Sequence, residues 1–226
     1  MARPAVAARH TPSGRAAVRW GFLAALGRLR RRRHGPEVLR ALMGKREAHV
    51  TRTAVFLDRD GVINRAEVRD GLPRSPASPE ALEVLPGVPE ALDALHRAGH
   101  LLIVVTNQPD VPRGVIERAT VEAIHASLRA QLPLDAILAC YHDDDAGCAC
   151  RKPEPGMLLE AASTFGLSLA GSALVGDRWR DVEAGRRVGC RTYLVDHGYE
   201  EALPAPPDHR VGSLREAAAL ILGHPV

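Results

Sequence analysis

From Thr53 onward the apolar positions fall into two alternating patterns. Short continuous runs, "TAVFL", "LLIVV", "DAILAC", "SALVG" and "RTYLV", fit strands buried on both faces. Between them the apolar residues recur every three or four positions, the spacing of a helix face. Val88, Leu92 and Leu95 do so in "VPEALDALHRAG", which stops at Gly99, followed by Val121, Ile124, Leu128 and Leu132, then "PGMLLEAASTFG" and "DVEAGRRVG". Continuous strands separated by helices predict an α/β fold with a parallel central sheet covered on both faces. No internal repeat or low-complexity tract interrupts it.

The 226 residues allow one sizeable domain and an extension. The net charge of +3 is unevenly spread: residues 1–50 hold twelve Lys/Arg against Glu37 and Glu47, so they carry +10 and residues 51–226 carry −7. An acidic body of that kind is not a nucleic-acid binder by charge. The division expected is a basic, poorly ordered extension over 1–50 and a folded domain over 51–226. A non-enzymatic role in nucleic-acid association through the basic segment is the alternative reading. Its Arg cluster "RLRRRR" follows the apolar stretch "WGFLAALG" rather than preceding it, the wrong order for a secretory signal. With no apolar run near the 18 residues of a membrane span, the expectation is a cytoplasmic monomer without membrane contact. Met43 is an alternative start, since "MGKREAHVTRTAVFLDRDG" leads directly into the first strand.

In open α/β sheets, ligands bind beyond the carboxyl ends of the strands. That rule selects Asp58, which closes the first strand, Thr106 and Asn107, which close "LLIVV", and Asp177, one glycine after "SALV". Lys152 is expected at the start of the helix after the third strand. Carboxylates converging from separate strands suit Mg²⁺, and phosphate oxygens can complete its shell. With Mg²⁺ and Lys152 screening a phosphoryl group, Asp58 can attack phosphorus while Asp60 handles the protons. Taken singly, "DRDG" is an Asx-type turn and "TNQ" a polar loop. Asp181 also reads as an ordinary residue of a helix's first turn, and Arg59 and Arg178 as charge balance beside the carboxylates.

The segments "DRDG" (58–61), "VVTNQ" (104–108), "RKP" (151–153) and "VGDRWRD" (175–181) resemble, in order and spacing, motifs one to four of the haloacid-dehalogenase-like (HAD) phosphatases. The resemblance implies a HAD-type, Rossmann-like three-layer sandwich. It implies Asp58 as nucleophile, Asp60 as general acid and base, and Thr106 and Lys152 as holders of the transferring phosphoryl group. It also implies Mg²⁺ bound by the Asp58 and Asp177 side chains and the Asp60 backbone carbonyl, with Asp181 in the outer shell. Arg59, Asn107, Gln108, Arg151 and Arg178 are the expected substrate contacts.

A second constellation lies in "CYHDDDAGCACRKP". Cys140, His142, Cys148 and Cys150 form C-x-H-x5-C-x-C, four soft ligands within eleven residues, which fits a closed structural Zn²⁺ site. A disulfide or inert buried thiols are the alternatives, the first disfavoured inside a cell, the second by the Gly- and Asp-rich surroundings. Cys190 reads as a small core residue. A zinc-braced loop ending just before Arg151 would aim Lys152 at phosphate. Its placement before "RKP" resembles heptose-1,7-bisphosphate 7-phosphatases and histidinol-phosphate phosphatases. "LPGVPEAL" and "KPEPGML" favour the heptose enzymes, whereas "TNQPDVPRG" replaces their usual Ser-Gly. No large cap domain fits between the motifs, so selectivity is expected from Arg151 and the loops at 65–76 and 108–114.

Overall fold

The computed structural model describes residues 51–69 and 72–225. The basic segment 1–50, its expected disorder and the Met43 start lie outside them. Six strands form a parallel sheet in the order β5-β4-β1-β6-β7-β8: β1 (Ala54–Leu57), β4 (Leu101–Asn107), β5 (Ala136–Cys140), β6 (Ala173–Gly176), β7 (Arg191–Val195) and β8 (His209–Val211). Each neighbour pair is parallel, with Phe56 opposite both Ile103 and Leu174.

The continuous apolar character of β1 follows from its central place. Val55 and Leu57 face one core, with α1 (Val88–Arg97) and α5 (Leu214–Ile221). Ala54 and Phe56 face the other, with α3 (Gly156–Phe165) and α4 (Trp179–Arg187). All four residues are fully buried. Each Val, Leu or Phe so enclosed contributes about 1.5–3 kcal/mol. α2 (Arg118–Gln131) buries Val121, Ile124, His125 and Leu128. Helices on both faces of one sheet make the expected three-layer sandwich.

The chain runs from β1 outward to β4 and β5, then returns to β6 on the other side of β1. That reversal opens the crevice at the carboxyl ends of β4, β1 and β6. A small antiparallel hairpin, β2 (Glu67–Arg69) with β3 (Leu72–Arg74), lies between β1 and α1 in the chain. It is the only strand pair added between these motifs among the described residues, so no large cap is present. Among those residues, no helix is long and apolar enough to cross a membrane.

Candidate active site

The turn after β1 shapes the site. The Asp58 amide continues the ladder by donating to the Val175 carbonyl at 2.9 Å, and the Arg59 carbonyl accepts from the Ile63 and Asn64 amides at 2.9 and 3.1 Å. Gly61 sits at φ +83°, and a Cβ there would overlap the Asp177 carboxylate. Both the backbone angle and the close approach therefore require glycine.

Lys152 ties three segments together. Its Nζ donates to Asp181 Oδ1 at 2.5 Å and to the Val105 carbonyl at 2.7 Å, and lies 2.9 Å from Asp58 Oδ1. It is not on a helix, as the sequence suggested, but in the loop four residues before α3. Asn107 holds it there: Asn107 Nδ2 donates to the Lys152 carbonyl and Asn107 Oδ1 accepts from the Lys152 amide, both at 3.0 Å. Asp181 serves twice, accepting from Lys152 and, through Oδ2, from the Arg178 amide at 3.1 Å at the start of α4.

Asp58, Asp177 and Asp181 bring carboxylate oxygens within 4.8 Å of one another. Burial pushes the Asp58 carboxyl up to about 6, with Asp181 adding to the rise and Lys152 opposing it. Burial, then the charges of Asp58 and Asp181, raise Asp177 well above the ordinary carboxylate range. Asp177 Oδ2 is buried with no hydrogen-bond partner among the described residues. Crowded carboxylates with an orphaned oxygen and one ammonium between them are short of positive charge, and the all-oxygen donor set fits a hard divalent cation.

Asp60 has the opposite surroundings. It accepts from Arg59 Nε (3.1 Å) and Nη2 (2.8 Å), Asn64 Nδ2 (2.9 Å), Ser75 Oγ (2.7 Å) and Gln108 Nε2 (3.3 Å). Burial raises its pKa, but Arg59's charge and hydrogen bond, with those of Asn64 and Ser75, outweigh it and hold the carboxyl below its usual value.

A cavity of about 450 Å³ is lined by Asp58, Asp60, Thr106, Asn107, Lys152 and Asp177, with arginines among the rest. Two expected substrate contacts lie behind it instead. Arg59 is fully buried against Asp60 and His125, whose Nε2 lies 3.0 Å from Arg59 Nη1. Gln108 is equally enclosed and spans Asp60 and Thr106. Both are excluded from the lining because their polar atoms are spent orienting Asp60. Arg151 and Arg178 do line the cavity, Arg151 paired with Asp144 and Arg178 with Glu201. Arg74, Ser75 and Asp110 line it from the loops 65–76 and 108–114, whereas Asp144, Arg180, Glu201 and buried His125 were not singled out by sequence. The "DDD" run looks like ordinary turn residues, and no local signal marks His125.

The second constellation also assembles. Cys150 Sγ lies 3.2 Å from Cys140 Sγ, 3.4 Å from Cys148 Sγ and 3.3 Å from His142 Nδ1. Cys140 Sγ lies 3.7 Å from Cys148 Sγ and 3.5 Å from His142 Nδ1. A tetrahedron of ligands about 2.3 Å from its centre has edges of roughly 3.8 Å, so the four atoms fit one zinc ion. All four cysteines are free thiols, and Cys190 is buried in the core as expected.

A family model described as HAD-hydrolase-like matches residues 149–217. The D-glycero-beta-D-manno-heptose-1,7-bisphosphate 7-phosphatase of Bordetella bronchiseptica is 39% identical over 149 residues, covering 64% of this chain and 80% of the relative. The chain belongs to the HAD-like phosphatases. The phosphatase of the same name from Pseudomonas aeruginosa is another member similar to it, 38% identical with 66% of this chain and 84% of the relative covered. Among solved HAD-like phosphatases, the Bordetella bronchiseptica heptose bisphosphate phosphatase complexed with magnesium and phosphate matches with a TM-score of 0.66 and 35% identity. That match covers 76% of this chain and 98% of the other. A HAD-like phosphatase from Mesorhizobium loti matches with a TM-score of 0.61 and 32% identity, covering 76% and 86%.

Proposed function

We propose that this HAD-like phosphatase removes the 7-phosphate of D-glycero-D-manno-heptose 1,7-bisphosphate, with Mg²⁺ at the carboxylates and structural Zn²⁺ in the 140–150 loop. The observation that carries the chemistry is the cluster of Asp58, Asp177 and Asp181 around Lys152 in the cavity lining. The names of the similar proteins support the substrate.

In this reading Asp58 and Asp177 would hold Mg²⁺ by their side chains and Asp60 by its carbonyl, with Asp181 as an outer carboxylate that orients Lys152. When bound, the ion supplies positive charge to phosphoryl oxygens. Lys152 and Thr106 orient the phosphoryl group. An Asp58 oxygen forms a bond to phosphorus as the ester P–O bond breaks, and the leaving oxygen takes a proton from Asp60. Water then attacks phosphorus, Asp60 takes its proton, and the Asp58–phosphorus bond breaks to release inorganic phosphate. Asp60 is ionised in the ligand-free molecule. The negative charge of an arriving phosphate favours its protonated form.

Cys140, His142, Cys148 and Cys150 would hold zinc with no open position, so that it would brace the loop before Lys152. Asn107 and Asp181 complete that brace from the other side. The test is phosphate release from a panel of sugar phosphates and histidinol phosphate, with Mg²⁺ and with excess chelator. The reading requires preference for the heptose bisphosphate and loss of release in chelator. Equal turnover in chelator, or preference for histidinol phosphate, overturns it.

A further inference from the structure

Three arginines from three separate segments close on one carboxylate in the cavity lining. Arg151 donates to Asp144 Oδ1 from Nε at 3.0 Å and from Nη2 at 2.7 Å. Arg180, at the start of α4, places Nη2 3.4 Å from the same oxygen. Arg113, from the loop after β4, donates from Nη2 to Asp144 Oδ2 at 2.9 Å. All four residues line the cavity that holds Asp58.

The partners differ in freedom. Arg151 is 8% exposed and is further held by the His142 carbonyl at 3.1 Å, whereas the Asp144 side chain is 51% exposed. Arg113 keeps a second anchor on Asp143. Arg151 and Arg113 are therefore held by protein groups other than Asp144, and the carboxylate can rotate away into water without leaving its own charge buried. Three guanidinium groups carry more charge than Asp143 and Asp144 together neutralise, and their forked donors match the oxygens of a phosphate.

We propose that Asp144 is a specificity-determining residue: in the free protein it occupies the arginine cluster that receives the second phosphate of the substrate, and it competes with that group. The proposal rests on the sugar-bisphosphate reading above. A hydroxyl brings no charge and leaves Asp144 in place. A carboxylate exchanges one charge for one. A phosphate carries about −1.5 to −2 near pH 7 and gains against the single charge it displaces. Asp144 thus reserves the cluster for ligands whose second group is a phosphate, and weakens their binding in doing so.

The experiment measures inhibition of p-nitrophenyl phosphate hydrolysis by heptose 1,7-bisphosphate and by heptose 7-phosphate, in the parent chain, Asp144→Asn and Asp144→Ser. Zinc content is measured in each, and two substitutions of different shape guard against a local packing fault. The inhibition constant for the bisphosphate is expected to fall about tenfold relative to that for the monophosphate, equivalent to about 1.4 kcal/mol. An unchanged ratio means that Asp144 does not compete. A ratio shifted the other way means that it only holds the arginines in place. Either result overturns the proposal while leaving the phosphatase reading intact. Absence of p-nitrophenyl phosphate hydrolysis by the parent chain with Mg²⁺ overturns both.

Discussion

Replacing Lys152 by Met removes the positive charge that pairs with two carboxylates, Asp58 and Asp181. The side chain is 2% exposed, and Nζ is 2.9 Å from Asp58 and 2.5 Å from Asp181. Methionine keeps the length and the apolar stem, so the change is chiefly electrostatic. Removing one partner of a buried ion pair costs about 3–5 kcal/mol. At about 2–4 °C per kcal/mol for a domain of this size, Tm falls by roughly 6–20 °C. The loss depends on pH with a definite sign. Asp58 in the parent titrates at about 6 against an ordinary 3.8, so its folded form already holds a proton more tightly than the unfolded chain does. Stability from this group is greatest at low pH and is lost as pH rises from 3.8 through about 6. Losing the ammonium moves the folded pKa higher still. The difference in Tm between parent and Lys152→Met is therefore smallest near pH 5 and grows towards pH 8. Calorimetric melts in chelator at both pH values measure it, and added Mg²⁺ recovers part of the loss. A variant melting within about 2 °C of the parent at pH 8, or losing more at pH 5, refutes the reasoning.

Asp60→Asn lowers kcat by about 10²–10⁴-fold, the usual range for a general acid–base group, and full turnover in that variant removes Asp60 from the chemistry. In Gly61→Ala the new Cβ displaces the Asp177 carboxylate, so the Mg²⁺ concentration needed for half-activity rises at least tenfold, a factor of about 1.4 kcal/mol. An unchanged Mg²⁺ titration shows that the displacement does not happen. Cys148→Ser lowers zinc content from about one per chain, lowers Tm, and reduces turnover that Mg²⁺ does not restore, because the fault lies at Lys152 rather than at the cation site. Full zinc occupancy or parental turnover in that variant contradicts the brace.

Much of the fold was legible because its strands are short and buried on both sides. "AVFL" gives two residues to each core, so it reads as an unbroken apolar run and marks the sheet centre. β8 was not legible, since only Val211 of its three residues is buried. α5 has a local start signal. Ser213-x-x-Glu216 is a capping box by sequence, and Ser213 Oγ accepts from the Glu216 amide at 3.2 Å while Glu216 reaches back to the Gly212 amide. The β2–β3 hairpin hides behind Pro73 and charged residues, which read as loop.

The site divides in the same way. Asp58, Asp177 and Lys152 stand at strand ends or in a short motif, where spacing alone brings them together. Arg59 and Gln108 were expected at the substrate because they stand inside the motifs "DRDG" and "VVTNQ" that carry the resemblance. Side-chain direction decides otherwise: both point beneath the cavity, where they form a network with His125 from α2 that spans 66 positions of the chain. The arginine cluster at Asp144 likewise joins loops far apart in sequence, which no local pattern records.

The central claim is that Asp58 forms a bond to phosphorus. Rapid quenching of the chain during turnover of heptose 1,7-bisphosphate with Mg²⁺, followed by borotritide reduction and peptide mapping, reads that bond directly. An acyl phosphate on Asp58 is reduced to labelled homoserine at position 58, and a free carboxylate is not. The account predicts label at residue 58 that is absent from Asp58→Asn and from protein quenched without substrate. Sustained phosphate release with no label at residue 58, or label on another carboxylate, contradicts it.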